Sequence, residues 1–293
     1  MNVEIVDTAT SPSIGVALGG GAARGLSHIP YIEAMDELGL KPARISGCSI
    51  GALIGAGWAN GMTGAELREY AYSVLGSFQL VAGTVWSAHR PSLIGILQNG
   101  ISFQVDPESI TKAFLPEGFP EDFSDLKVPF STVAADYYSW EQVVFNSGPL
   151  QIAIAASLAI PAAFKPVHFA GRTYIDGGVI NPVPVDQVTD GSDIVIAVDV
   201  NGSPEPPRQS AAPGMVDLGF VATQIMIQTI VRAQLERNPP DIYVRPAVNP
   251  FGLMEFWRVR ELLEACDPDK DRFKRAMEEK LENFQSSGHS ISI

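Results

Sequence analysis

Two short apolar strands each run directly into a glycine-rich turn and then into a helix, and this repeated pattern constrains the chain more than any other feature. Ile14-Gly-Val-Ala-Leu18 is rich in strand formers and leads into Gly19-Gly20-Gly21-Ala-Ala-Arg24-Gly25. After it Ile29, Ile32, Met35 and Leu38 recur at three- and four-residue intervals with Glu33, Asp36 and Glu37 between them, the period of an amphipathic helix that Gly39 ends. A second strand, Ala43 to Ser46, reaches Gly47-Cys48-Ser49-Ile50-Gly51 and a small-residue helix from Ala52 to Asn60. Consecutive strand–turn–helix units predict an α/β protein with a mainly parallel central sheet flanked by helices.

The rest of the chain extends the same sheet. Val128 to Ala134 and Gln142 to Phe145 read as strands, Leu150 to Leu158 as a short apolar helix, and Ile194 to Val198 as a strand buried on both faces. Between Asn201 and Gly214, Pro204, Pro206, Pro207 and Pro213 exclude helix and ladder, which predicts a surface loop before a last strand at Asp241 to Val244. Phe273, Met277, Leu281 and Phe284 line one face of a charged helix. The expected organisation is an extension over 1–12, one domain over 13–285 with the 201–214 loop inside it, and a frayed tail over 286–293.

Composition removes several function classes. Twenty Lys and Arg against thirty-three Asp and Glu give 20 − 33 = −13, which opposes nucleic acid and anionic membrane surfaces. With 46% hydrophobic and 18% charged residues, the 293-residue chain can bury a sizeable core and its bulk is not disordered. Cys48 and Cys266 make no disulfide framework, and no Cys/His cluster has zinc-ligand spacing, so neither metal nor cofactor is expected. No secretory signal and no spanning segment is legible, which suggests a cytoplasmic protein, with peripheral placement at the inner membrane as a variant of that expectation.

Gly47-Cys-Ser-Ile-Gly51 matches G-x-S-x-G between a strand and a helix, where Ser49 would occupy a sharp turn at the N-terminus of the following helix. A glycine-rich helix entry with Ser49 as N-cap is the plainer alternative. Gly19 to Gly21 fit neither the dinucleotide fingerprint nor a P-loop, which leaves a loop of open backbone N–H groups able to cradle an oxyanion, with Arg24 beside it. None of His28, His89, His168 and His289 is well placed as a base; His28 reads as a structural hydrogen-bonder, and only His289 follows an α/β-hydrolase order. Asp176-Gly177-Gly178, after the short strand Thr173-Tyr-Ile175, offers a carboxylate instead, though an Asp-Gly turn is common. Cys48 reads as a packing residue.

Four segments in order resemble one family, the patatin-like phospholipases: Leu18-Gly-Gly-Gly-Ala-Ala-Arg-Gly25 with Ser27-His28-Ile29, Gly47-Cys-Ser-Ile-Gly51, Ala156-Ser-Leu-Ala-Ile-Pro161 with Phe164 and Pro166, and Asp176-Gly-Gly-Val-Ile-Asn-Pro182. The resemblance implies a three-layer patatin-like fold and a serine lipid acyl hydrolase acting on phospholipid or lysophospholipid esters. It assigns Ser49 as nucleophile, Asp176 as base, Gly19, Gly20, Gly21 and Arg24 to the oxyanion hole, Gly47 and Gly51 to the serine turn, and Gly177 and Gly178 to the acid motif. The chain departs from the family where Ala22 replaces a fourth glycine, Cys48 a threonine, and Pro30 and Ala162 glycines.

The implied partner is a lipid or lysolipid, with transient membrane contact through an apolar lid and no nucleic acid. Two apolar stretches, Phe78 to Phe103 and Met215 to Ile230, are the candidates for acyl pocket or lid. A lipid-binding protein that keeps the fold without turnover is the competing class, and a triad through His289 is a third reading.

Overall fold

The computed structural model of the chain describes residues 11–76, 105–161, 163–204 and 215–288, without the side chains of 215–217, 220 and 287–288. In chain order the strands are β1 (Ile14–Leu18), β2 (Arg44–Cys48), β3 (Phe130–Asp136), β4 (Gln142–Phe145), β5 (Val167–Phe169), β6 (Arg172–Asp176), β7 (Ile194–Val198) and β8 (Ile242–Val244). The helices are α1 (His28–Glu37), α2 (Ile50–Ala59), α3 (Gly64–Leu75), α4 (Pro107–Phe114), α5 (Leu150–Leu158), α6 (Asp186–Thr189), α7 (Met215–Arg237) and α8 (Val259–Gly288).

The strands form one sheet in the order β5-β6-β3-β2-β1-β7-β8, with β4 also paired to β3. Pairs β1–β2, β1–β7, β2–β3 and β7–β8 are parallel, whereas β4, β5 and β6 enter antiparallel. Side chains alternate between two layers, as a doubly covered sheet requires. Ile14, Val16 and Leu18 of β1 and Ile194, Ile196 and Val198 of β7 face the large core shared with α1, α2, α3 and α8. Ala17, Val195 and Ala197 face the other way, against Val185, Val188 and Val231. This is the expected three-layer arrangement.

Register explains how distant residues meet. Thr132 and Val133 of β3 pair with Gly47 and Cys48 of β2 and also with Phe145 and Val144 of β4, so β2 and β4 flank β3 on opposite edges. Ala134 and Ala135 pair with β4 and also with Asp176 and Ile175 of β6. Strand β6 therefore lies along the same edge of β3 as β2, and the two run toward each other. Cys48 ends β2 opposite Val133, and Asp176 ends β6 opposite the next residue, Ala134. Two chain segments 127 residues apart thus finish at one point.

The tail differs from expectation: α8 continues to Gly288, and Ser286 Oγ donates to Glu282 O, so the first residues of the expected frayed segment are helical. Residues 1–10, 205–214 and 289–293 lie outside the described residues, and so does the apolar stretch Phe78 to Phe103.

Candidate active site

Ser49 sits between the end of β2 and the first turn of α2 with φ 54° and ψ −122°, a backbone conformation that a residue with a side chain adopts only under constraint. The constraint is steric and polar. A Cβ on Gly47 would lie 2.4 Å from Gly51 O, and one on Gly51 would lie 2.2 Å from Leu18 O, so only glycine lets α2 close onto β1 and β2. Ser49 N–H donates to Ser157 Oγ at 2.8 Å, from the last turn of α5. Ser157 carried no assigned role in the sequence; its place in the Ala156–Pro161 segment was the available signal.

The same end of α5 holds the carboxylate segment, because Asp176 N–H donates to Ala159 O at 3.0 Å. Ser49 Oγ then donates to Asp176 Oδ2 at 2.6 Å, while Asp176 Oδ1 accepts from Gly178 N–H at 2.6 Å. A Cβ on Gly177 would lie 2.3 Å from Val133 O, which is why glycine follows the acid. Asp176 is 5% exposed, and burial raises its carboxyl to about 6 against the pull of the Ser49 and Gly178 hydrogen bonds. A carboxylate of that basicity, in contact with a hydroxyl and out of water, is able to accept a proton.

The glycine loop needs correction. Gly19 N–H donates to Val198 O and Gly20 N–H to Pro182 O, both at 2.9 Å, so these two donors are occupied by the framework. Gly21 N–H and Ala22 N–H have no acceptor among the described residues, and Ala22 stands at φ 49° where the family pattern has glycine. The Arg24 guanidinium is bound to the framework through two of its nitrogens as well: Nε donates to Phe251 O at 2.7 Å and Nη1 to Asn201 O at 3.2 Å. It ties the loop to the chain after β7 and to the segment before α8.

His28 is fully buried and its Nε2 lies 2.8 Å from Gly19 O. A carbonyl only accepts, so the proton is on Nε2, and Nδ1 has no partner among the described residues. Burial lowers its imidazolium to about 4, outweighing the Gly19 carbonyl and the charge of Asp199. His28 is thus a neutral strut behind the glycine loop, as expected of a structural histidine. Cys48 is buried, and burial together with the nearby Asp176 charge pushes its thiol well up, so it stays protonated.

An apolar cavity of about 170 Å³ opens at Ser49. Its wall comes from Ile50, Leu53 and Ile54 of α2, from α3, from Ile110 and Phe114 of α4, from Leu158 at the end of α5, and from Ile160 and Phe164 just beyond it. Met215 to Ile230 contributes no lining residue to this cavity among those described. No group of metal-ligating residues occurs among the described residues, and no described helix is long and apolar enough to cross a membrane.

A strained serine between a parallel strand and a helix, at the mouth of an apolar cavity, puts the chain in the class of α/β proteins built on a serine elbow. Within that class it belongs to the patatin-like phospholipase family, whose model matches residues 16–189. It is 34% identical over 209 residues to an uncharacterised NTE family protein of Mycobacterium tuberculosis (strain ATCC 25618 / H37Rv), across 70% of this chain and 54% of that one. Lysophospholipase NTE1 of Pyricularia oryzae is 26% identical over 275 residues, across 86% of this chain and 18% of the fungal protein. The chain therefore spans about half the length of the mycobacterial relative and less than a fifth of the fungal one. Among solved structures, VipD from Legionella pneumophila superposes with a TM-score of 0.46 at 13% identity, covering 91% of this chain and 67% of that one. The ExoU–SpcU complex of Pseudomonas aeruginosa gives 0.48 at 16% identity, covering 93% and 52%.

Proposed function

We propose that this chain is a serine lipid acyl hydrolase that cleaves fatty-acyl esters of phospholipids or lysophospholipids through an acyl-enzyme. One observation carries the reading: the 2.6 Å hydrogen bond from Ser49 Oγ to Asp176 Oδ2 at the head of an apolar cavity. Ser49 Oγ attacks the ester carbonyl carbon as its proton passes to Asp176. The carbonyl oxygen becomes an oxyanion, met by the N–H groups of Gly21 and Ala22, which have no acceptor among the described residues, and by the N-terminal end of α2. Asp176 returns the proton to the departing alcohol oxygen. Water then attacks the acyl-Ser49 ester, gives its proton to Asp176, and releases a fatty acid as Ser49 regains its hydrogen.

Family membership and the lining of the cavity support an acyl chain as the occupant of the pocket. The fungal relative is named a lysophospholipase, which makes lysophospholipids the first substrates to try.

A fluorophosphonate probe should label the protein at Ser49. Ser49→Ala or Asp176→Asn should each lower hydrolysis of a chromogenic fatty-acyl ester by roughly 10⁴-fold with the fold intact. Fatty-acid binding without probe labelling would replace the enzyme with a lipid-binding protein. Loss of activity on removal of 286–293, with Asp176→Asn still active, would instead implicate His289.

A further inference from the structure

The exposed large apolar side chains are concentrated at one end of the molecule. Because β1, β2, β3 and β7 are parallel, the glycine loop, Ser49 and the turn after β3 all leave the sheet at the same end. That turn carries exposed Tyr137 and Tyr138 and, 85% exposed, Trp140. It is built to hold them out. Asp136 Oδ1 accepts from the N–H of Tyr138 at 2.9 Å and of Ser139 at 3.1 Å, and Tyr137 N–H donates to Thr173 O at 2.8 Å. Trp140 is fixed at φ 58°, a costly conformation for so bulky a residue.

Helix α7 follows β7 and so starts at this end as well. Its C-terminal half is packed, with Val231 buried and Ile227 and Leu235 partly covered, whereas Leu218, Val221, Ile225 (61% exposed) and Met226 face solvent. At about 1.5 Å per residue a 23-residue helix is about 34 Å long, roughly twice the length of the five-residue strand β7. Its apolar half therefore overhangs the sheet on the side where Ser49 lies. Met254, exposed and part of the cavity wall, belongs to the same end.

Charge selects the partner. From Leu218 to Val231 no side chain is ionisable. At the turn Arg172 is paired with Asp136 at 3.5 Å, and exposed Glu141 adds negative charge to a chain already at −13. Such a surface repels anionic headgroups and matches an electrically neutral one. Trp and Tyr favour the headgroup boundary, and aliphatic side chains on an amphipathic helix reach the acyl region beneath it.

We propose that the Tyr137–Trp140 turn and the N-terminal half of α7 form one docking surface that seats the cavity mouth on a zwitterionic phospholipid surface. The proposal rests on the lipid-hydrolase reading for its purpose. Its test separates the two.

Full-length Ser49→Ala protein is floated with vesicles of phosphatidylcholine, and of phosphatidylcholine with phosphatidylglycerol, at low and high salt. The expected result is binding to phosphatidylcholine that does not weaken with salt. Trp140→Ser with Ile225→Ser should bind roughly a hundredfold more weakly, about tenfold for each side chain left in water. In the Ser49 background the same pair should hydrolyse a soluble short-chain ester at the parental rate. If the pair lowers thermal stability, Tyr138→Ser and Val221→Ser are read singly in the same assays. Absence of binding by the Ser49→Ala protein, binding only to the anionic vesicles with release in high salt, or unaltered binding by the variants each overturns the proposal. So does a change of oligomeric mass in the variants with vesicle binding intact, which would make the surface a contact between copies. Vesicle binding by a chain that hydrolyses no ester defeats the hydrolase reading alone. Ester hydrolysis without vesicle binding defeats this proposal alone.

Discussion

The two glycine turns that open the chain obey one pattern yet are held in opposite ways. The turn after β2 is packed from outside: Gly47 and Gly51 leave no room for a side chain, Ser157 caps its strained N–H, and Ser49 is what remains free to point into the cavity. The turn after β1 is tied from within. Its first two N–H groups go to Val198 O and Pro182 O, its Gly19 carbonyl to His28, and its arginine to Phe251 O and Asn201 O. What has no acceptor there among the described residues is backbone, the N–H groups of Gly21 and Ala22. One turn presents a side chain by fixing its backbone, and the other presents two backbone N–H groups by committing its first two N–H groups, its Gly19 carbonyl and its arginine elsewhere. A nucleophile and an oxyanion cradle need those two solutions respectively.

Glycine replacement separates them most sharply. In Gly51→Ala the new Cβ meets Leu18 O at 2.2 Å, so α2 must move off β1 and carry Ser49 with it; ester hydrolysis should fall by about a hundredfold or more. In Gly20→Ala the Cβ meets Ser49 Cβ at 3.3 Å and Cys48 Sγ at 3.4 Å, contacts that a small shift relieves, and the loss should be about tenfold or less, at the low end of the roughly 1–3 kcal/mol that tight small-to-large changes cost. Steady-state rates with a soluble ester, beside thermal unfolding of each variant, check the difference. Equal losses would erase the distinction between the turns.

Removal of the polar supports is the next test. Ser157→Ala leaves the buried Ser49 N–H unpaired, a cost of about 1–3 kcal/mol. Expressed in the alignment of Ser49, it should lower kcat by roughly ten- to a hundredfold with KM unchanged. His28→Ala frees the Gly19 carbonyl one peptide further from the reacting atoms. Its effect on kcat should be smaller, about tenfold, with fluorophosphonate labelling of Ser49 slowed in parallel. If His28→Ala proves the more damaging, the β1 turn rather than the elbow is the fragile half of the site.

Ser49 was legible because a strand-to-helix turn this sharp admits only small neighbours at fixed spacing, a local rule that five residues can express. The alternation of Ile14, Val16 and Leu18 against Ala17 likewise shows in the strand itself. The partnership of Ser49 with Asp176 has no local expression. It depends on β6 and β2 sharing one edge of β3 from opposite directions, and it was reached by resemblance. The partners that Arg24 and the first glycines hold, Asn201, Phe251, Val198 and Pro182, were not legible because they lie far along the chain. An apolar pocket is expected at Ser49, but these lining residues are not legible as its wall: Leu53, Leu67 and Ile110 read as ordinary helix core until their helices are seen to stand around Ser49. Met215 to Ile230 reads as pocket or lid, and its described exposed residues, Leu218, Val221, Ile225 and Met226, are not in the lining of the cavity at Ser49.

The smallest expected effect joins the two turns through acid stability. Each turn backs onto a buried titratable group whose charged form burial disfavours: Asp176, raised from 3.8 to about 6, and His28, lowered from 6.5 to about 4. Between roughly pH 4 and 6 the folded chain retains a proton on Asp176 that the unfolded chain has lost, so this group's contribution is full below 3.8 and is lost as pH rises through about 6. Over the same window the unfolded chain takes a proton on His28 that the folded chain refuses, so this contribution is full above 6.5 and is lost as pH falls through about 4. The two slopes are opposite and nearly equal, and they cancel in the native sequence. Single variants uncover them. Relative to the native chain, His28→Gln should lose stability as pH rises from 4 to 6, and Asp176→Asn should lose it as pH falls from 6.5 to 4. Thermal unfolding of the three proteins across that range measures both differences. Two slopes of the same sign would mean that one of these groups is charged in the fold, and the symmetry between the turns would end there.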